Sequence, residues 1–185
     1  MIAHAYLRRR SGFSLVELII VIVILGVLSA VAVPRISRGG KGANASALIQ
    51  DLAVVRTAME VYAAEHHGLY PANMGDSTDS ILGGNAAFAA LAFRDQLTLY
   101  SDETGYTVAA KAGQFVYGPY LHRIPALPVG SGASTGKTDI LVVDDDPDDN
   151  VDSSAGYGWI YNRKIGKFIA NSDDTDESGT VFSSY

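Results

Sequence analysis

The sequence predicts an α+β protein: a long N-terminal helix, membrane-spanning in its first half and amphipathic in its second, packed on a small antiparallel β-sheet. Three observations predict it. An almost unbroken apolar run, Phe13–Val33, is followed by a segment with apolar residues at helical spacing. Short alternating apolar stretches then appear near the C-terminus, bounded by Gly, Asn and Asp. Finally, 185 residues suffice for one domain and its leading helix.

The run FSLVELIIVIVILGVLSAVAV is apolar apart from Ser14, Glu17 and Ser29. About 20 such residues cross a bilayer as a helix at ~1.5 Å rise per residue. Arg8, Arg9 and Arg10 precede it with no acid among them, so the positive-inside rule places the N-terminus in the cytoplasm and the rest outside. From Ala43 to Glu65, Leu48, Leu52, Val55, Met59 and Tyr62 recur at three- and four-residue steps and share one face. Both segments read as one long helix, interrupted near Pro34 and Gly39-Gly40 and closed at His66-His67-Gly68, with Gly68 in the left-handed position.

Beyond it, Ala72–Asn85 reads as loop and Ala86–Arg94 as a short helix, with brief extended pieces at Gln96–Tyr100 and Gln114–Tyr117. Pro119, Pro125 and Pro128 bias their neighbours towards irregular backbone. Asp139–Val143 is an expected strand. Tyr157–Asn162 and Lys167–Asn171 are two more, joined as a hairpin around Arg163–Gly166, with Trp159, Tyr161, Phe168 and Ile169 in the core. The expected organisation is a basic leader at 1–12, a spanning helix at 13–34, its amphipathic continuation at 35–67, and an α+β head at 68–185.

Charge and motifs exclude several functions. Lys plus Arg number 14 against 20 acids, and removing the three leader arginines leaves 11 against 20. That balance argues against nucleic-acid binding, which needs clustered cations for phosphate contacts. Gly136-Lys137-Thr138 ends like a phosphate-binding loop, but Ser131 stands where that loop needs its first Gly, and a strand follows where a helix should. Adjacent His66 and His67 point in different directions on a helix and make a poor metal pair. No nucleophile–base constellation is visible, so an enzyme is not expected.

The residues Gly12-Phe13-Ser14-Leu15-Val16-Glu17 resemble the processing site of type IV pilins and of the pseudopilins of type II secretion systems. Gly26, Pro34 and Gly68-Leu69-Tyr70-Pro71 also fall where members of that family commonly carry them. The resemblance implies cleavage between Gly12 and Phe13 by a membrane peptidase that also N-methylates Phe13. It implies that Glu17 neutralises the Phe13 amine of a neighbouring subunit in a filament of identical chains. Other implied partners are minor pseudopilins and an inner-membrane assembly platform. The absence of cysteine tilts the resemblance towards the major pseudopilin, since many type IV pilins close a C-terminal loop with a disulfide. Two alternatives stay open: a type IV pilus or minor-pilin subunit for adhesion, motility or DNA uptake, and a secreted domain cut after Ala32, where Ala30-Val31-Ala32 fits an ordinary signal-peptide site.

Two acidic loops stand out, Asp144–Asp152 and Asp173–Glu177. Calcium takes six to eight oxygen ligands, so crowded carboxylates suit it, although neither loop has the spacing of an EF-hand. A solvated acidic surface is the plainer account. Major pseudopilins bind calcium near their sheet, so the resemblance implies calcium here; the loop residues depart from the family's, and Asp144, Asp146, Asp148, Asp174 and Asp176 are the candidate ligands among this chain's own acids.

Overall fold

The computed structural model describes residues 13–73 and 86–185, with side chains at 13–29, 42–73 and 88–185. The basic leader, with Gly12, and most of the expected Ala72–Asn85 loop lie outside the described residues. The chain divides into two compact units, Met1–Gly40 and Lys41–Tyr185. Helix α1, Leu15–Glu65, belongs to both. The expected interruption does not break the helical assignment. One proline removes a single backbone donor, and each Gly costs only about 1 kcal/mol against Ala.

In the first unit every large apolar side chain from Phe13 to Leu28 is at least 48% exposed. Among the described residues, no helix is long and apolar enough to cross a membrane.

In the second unit α1 buries the face that its sequence period marks out. Leu48, Leu52, Val55, Met59 and Tyr62 are all at most 2% exposed. Gly68 is left-handed as the sequence reading has it, and a second left-handed residue precedes it. His67 itself takes the left-handed conformation (φ 57°), Gly68 follows at φ 80°, and the Gly68 N–H donates to Ala63 O at 2.8 Å. That six-to-one bond is the mark of a Schellman ending.

Helix α2, Ala86–Thr98, is longer than expected and absorbs Gln96–Thr98, which the sequence reading made extended. Burial explains the correction: Ala89, Ala92, Phe93, Gln96 and Leu97 are all buried, at helical spacing. Gln96 then bridges two loops, accepting from the Ala72 N–H at 2.7 Å and donating to Gly105 O at 2.9 Å.

Strands β1 (Tyr100–Ser101) and β2 (Thr107–Val108) form a short antiparallel pair. The expected extended piece at Gln114–Tyr117 reduces to isolated bridges, Ser101 with Tyr117 and Ala112 with Phe115. The main sheet orders β3 (Ile140–Val143), β4 (Trp159–Asn162) and β5 (Lys167–Ala170). It is mixed rather than antiparallel: β4–β5 is the expected hairpin, but β3 pairs β4 in parallel, Ile140 opposite Trp159 and Val143 opposite Asn162. The segment between β3 and β4 contains a 3-10 turn at Pro147–Asn150 and carries the chain back to the starting end of the sheet, which a parallel pair requires.

Trp159, Tyr161 and Phe168 are fully buried and Ile169 nearly so. Phe93 of α2 stacks on Phe168 with centroids 5.7 Å apart, and Trp159 stacks on the same ring at 5.0 Å. Arg56 ties α1 to the sheet: its guanidinium donates to Phe168 O at 2.8 Å and to Tyr185 O at 2.7 Å. Gly166 closes the β4–β5 turn at φ 69°, and a side chain there would meet the Tyr70 ring, with the nearest ring atom 2.5 Å from its Cβ. The Gly68–Pro71 segment and the hairpin are thus fitted to each other.

Candidate functional site: helix N-terminus and acidic loops

The N-terminal site is built from Ser14 and Glu17. The Ser14 N–H donates to Glu17 Oε2 at 3.0 Å, and the Val16 N–H donates to Ser14 Oγ at 3.3 Å. Ser14-Leu15-Val16-Glu17 is therefore a capping box, in which the first residue and the acid three positions on satisfy helix donors that have no partner in the preceding turn. The S-x-x-E spacing was legible in the sequence, yet the reading of Glu17 as an assembly residue passed over it. Phe13 precedes the cap and is 82% exposed.

The acidic loops are engaged by the protein's own cations and hydroxyls. Asp144 accepts from Arg163 Nε at 2.7 Å and Nη2 at 3.0 Å. Lys167 Nζ bridges Asp146 Oδ1 and Asp148 Oδ2, both at 2.8 Å. Asp176 accepts from the Ser178 and Thr180 N–H groups and from Tyr185 Oη. Asp174 accepts from Ser131 Oγ at 2.8 Å and borders a cleft of about 330 Å³ lined by Asn44, Val129 and Phe182. Among the described residues no three Asp, Glu, His or Cys side chains gather as a metal ion would require. The five nominated aspartates, as arranged, do not fit a calcium cage of six to eight oxygens.

The residues that the sequence reading missed are the basic partners, Arg163, Lys164 and Lys167, and the amide of Asn171. Asn171 is buried; its Nδ2 donates to Asp152 O at 2.7 Å and to Tyr157 O at 3.0 Å, while its Oδ1 accepts from the Asp152 N–H. His66, also buried, is a core residue stacked on Tyr62 at 3.8 Å and bonded to the Tyr62 and Asp102 carbonyls.

These contacts set a pH dependence. Arg163 lowers Asp144, Lys167 lowers Asp146, and the Ser154 hydroxyl lowers Asp152. The Tyr185 hydroxyl, Ser178 and the Thr180 amide hold Asp176 well below the usual carboxylate range. Folded values below the unfolded value of about 3.9 mean that this stabilisation is complete above that pH and is lost as pH falls through the folded values. Asp51 runs the other way, raised by burial. Asp102 is lowered as well, its burial outweighed by bonds from Thr104, Tyr106 and Gln114, and the five lowered groups outnumber Asp51, so melting temperature should be flat from neutrality to about pH 5 and should drop below about pH 4. Melting curves across that range check it, and a head that gains stability on acidification would contradict it.

Comparison with known proteins bears on the first of these sites. Residues 7–33 match the family model of the prokaryotic N-terminal methylation motif. The N-terminus carries a prokaryotic methylation motif. Type II secretion system core protein G of Aeromonas hydrophila is 33% identical over 60 residues, 32% of this chain and 42% of that protein. Core protein G of Escherichia coli is 30% identical over 67 residues, 36% of this chain and 46% of that protein. Prepilin peptidase-dependent protein D of Escherichia coli is 38% identical over 61 residues, 33% of this chain and 42% of that protein. The chain spans less than half the length of these curated relatives. No solved structure matches the chain.

Proposed function

We propose that the chain is a structural subunit of a type II secretion pseudopilus, cut between Gly12 and Phe13, N-methylated on Phe13, and assembled into a helical filament that helps protein export. The observation that carries this reading is the N-terminus: a methylation-motif match at 7–33 and, from Leu15, a helix whose apolar side chains to Leu28 are exposed in the single chain. Such a continuous apolar surface cannot remain in water and calls for lipid or other copies of the helix. The thirteen large apolar residues from Phe13 to Leu28 contribute roughly −4 to −8 kcal/mol on an insertion scale, against roughly +3 for one acidic residue. Glu17 therefore does not prevent insertion.

In this reading the helix anchors the subunit in the inner membrane with the N-terminus cytoplasmic and the head periplasmic. It then exchanges lipid for neighbouring helices as the filament grows. Glu17 is the assembly residue, set to meet the methylated amine of a neighbouring Phe13 inside the apolar filament core. A peptidase of the kind named in the protein D relative is the proposed processing partner, and minor pseudopilins and an inner-membrane assembly platform are the proposed assembly partners. The role is structural rather than enzymatic.

The deciding experiment is the N-terminal sequence and intact mass of the protein isolated from producer-cell membranes. The expected chain begins at N-methylated Phe13. A chain beginning at Val33 would instead show a signal-peptide cut after Ala32 and a released soluble domain.

A further inference from the structure

The family resemblance leads one to expect a calcium ion in the acidic loops, and the arrangement of their carboxylates does not fit one. The reason lies in the sheet. Parallel pairing sets Val143 opposite Asn162, so the next residue on each strand, Asp144 and Arg163, emerges at the same end. The β4–β5 hairpin returns there as well, with Lys167 opposite Asn162. Thus Arg163, Lys164 and Lys167 meet Asp144, Asp146 and Asp148 by register, not by chance approach of long side chains.

The contacts engage the carboxylates of Asp144, Asp146 and Asp148 with cations and the carbonyls of Asp145 and Asp146 with side-chain amides. Arg163 takes both oxygens of Asp144, and Lys164 Nζ reaches Asp144 Oδ2 at 3.8 Å. Lys167 Nζ stands 2.8 Å from one oxygen of Asp146 and one of Asp148, the position a bridging cation would hold. Asn162 Nδ2 donates to Asp145 O, and Asn150 Nδ2 donates to Asp146 O at 3.0 Å and to Asp145 Oδ1 at 3.1 Å. A divalent ion held between Asp146 and Asp148, or on both oxygens of Asp144, would displace an ammonium or a guanidinium and then sit beside the remaining positive charges.

We propose that the cationic hairpin Arg163–Lys167 replaces a metal ion as the counter-charge of loop 144–150, so that the head of this chain holds its acidic loop without calcium. The inference concerns the head alone and stands whether or not the chain assembles into a pseudopilus.

The test uses the full chain in detergent, with calcium chloride alone as the metal probe. Melting temperature and amide exchange over residues 144–150 should be the same in EDTA and in calcium at about 1 mM, the range in which extracellular calcium modules bind. Lys167→Met should lower the melting temperature by about 2–4 °C and speed exchange over 144–150, while Lys167→Arg should retain most of both. A wild-type melting temperature that rises by several degrees on adding calcium would overturn the proposal. So would a Lys167→Met protein whose loop exchanges as slowly as wild type. Should Lys167→Met not fold, the calcium and EDTA comparison on the wild-type chain still decides.

Discussion

Glu17→Ala is expected to insert into the membrane and to be processed after Gly12, yet to yield essentially no filaments. Two losses combine. The first is the pairing charge: removing one partner of a buried ion pair typically costs about 3–5 kcal/mol, because the other charge stays buried and unpaired. Repeated at every subunit interface, a loss of that size lowers each association constant by a factor on the order of 10² or more. The second is the cap. Glu17 Oε2 accepts the Ser14 N–H, and breaking an N-terminal cap costs roughly 0.5–2 kcal/mol of helix stability.

Glu17→Gln separates the two. Its amide oxygen can still accept the Ser14 N–H, since Gln serves in a capping box as Glu does. Its neutral side chain cannot neutralise an ammonium. Helical content should match wild type while assembly remains strongly impaired. Filament yield by pelleting and microscopy, with circular dichroism on the same preparations, reads both properties. Wild-type filament yield from Glu17→Gln would sink the pairing idea and leave Glu17 as a helix cap alone.

The parts of the fold that were legible in the sequence are those governed by local period. Leu48 to Tyr62 mark the buried face of α1 at helical spacing, and the short apolar and aromatic runs Trp159–Asn162 and Lys167–Ala170 mark the hairpin, with every residue of β4 buried. What escaped was set by long-range pairing. Nothing local says that Ile140–Val143 runs parallel to Trp159–Asn162, because a short apolar strand reads the same in either direction. The error spread from there. With β3 taken as antiparallel, Asp144 had no reason to meet Arg163, and the carboxylates of 144–148 were read without their cations. A count of charges offered a hint: three of the eleven cations beyond the leader fall in the five residues 163–167. Gln96–Thr98 failed for a different reason, since Leu97 and Gln96 are helical only because α2 buries that face.

Trp159→Ala should produce the largest loss of stability in the head. Trp159 starts β4, the central strand, between Ile140 and Ala170. Its ring is fully buried and stacked on Phe168, and its Nε1 donates to Pro125 O at 2.9 Å. Emptying a site of this size costs about 3–5 kcal/mol, and Pro125 O loses a partner worth about 1 kcal/mol more. Domains rarely have more than 5–15 kcal/mol in total, so much of the margin goes. At ~2–4 °C per kcal/mol for a domain of this length, the melting temperature should fall by roughly 10 °C or more. Trp159→Phe keeps the stack and loses the N–H, so it should fall only a few degrees. Circular dichroism is the measurement for both, because Trp159 is the chain's single tryptophan and its removal takes the fluorescence with it. A Trp159→Ala melting temperature within about 3 °C of wild type would mean that the head's stability is not centred on the β3–β4–β5 sheet. The substitution also tests the division of labour between the two units. Ser14 and Glu17 lie in the first and Trp159 in the second, so Trp159→Ala should reduce the amount of protein that accumulates while leaving processing at Gly12 intact.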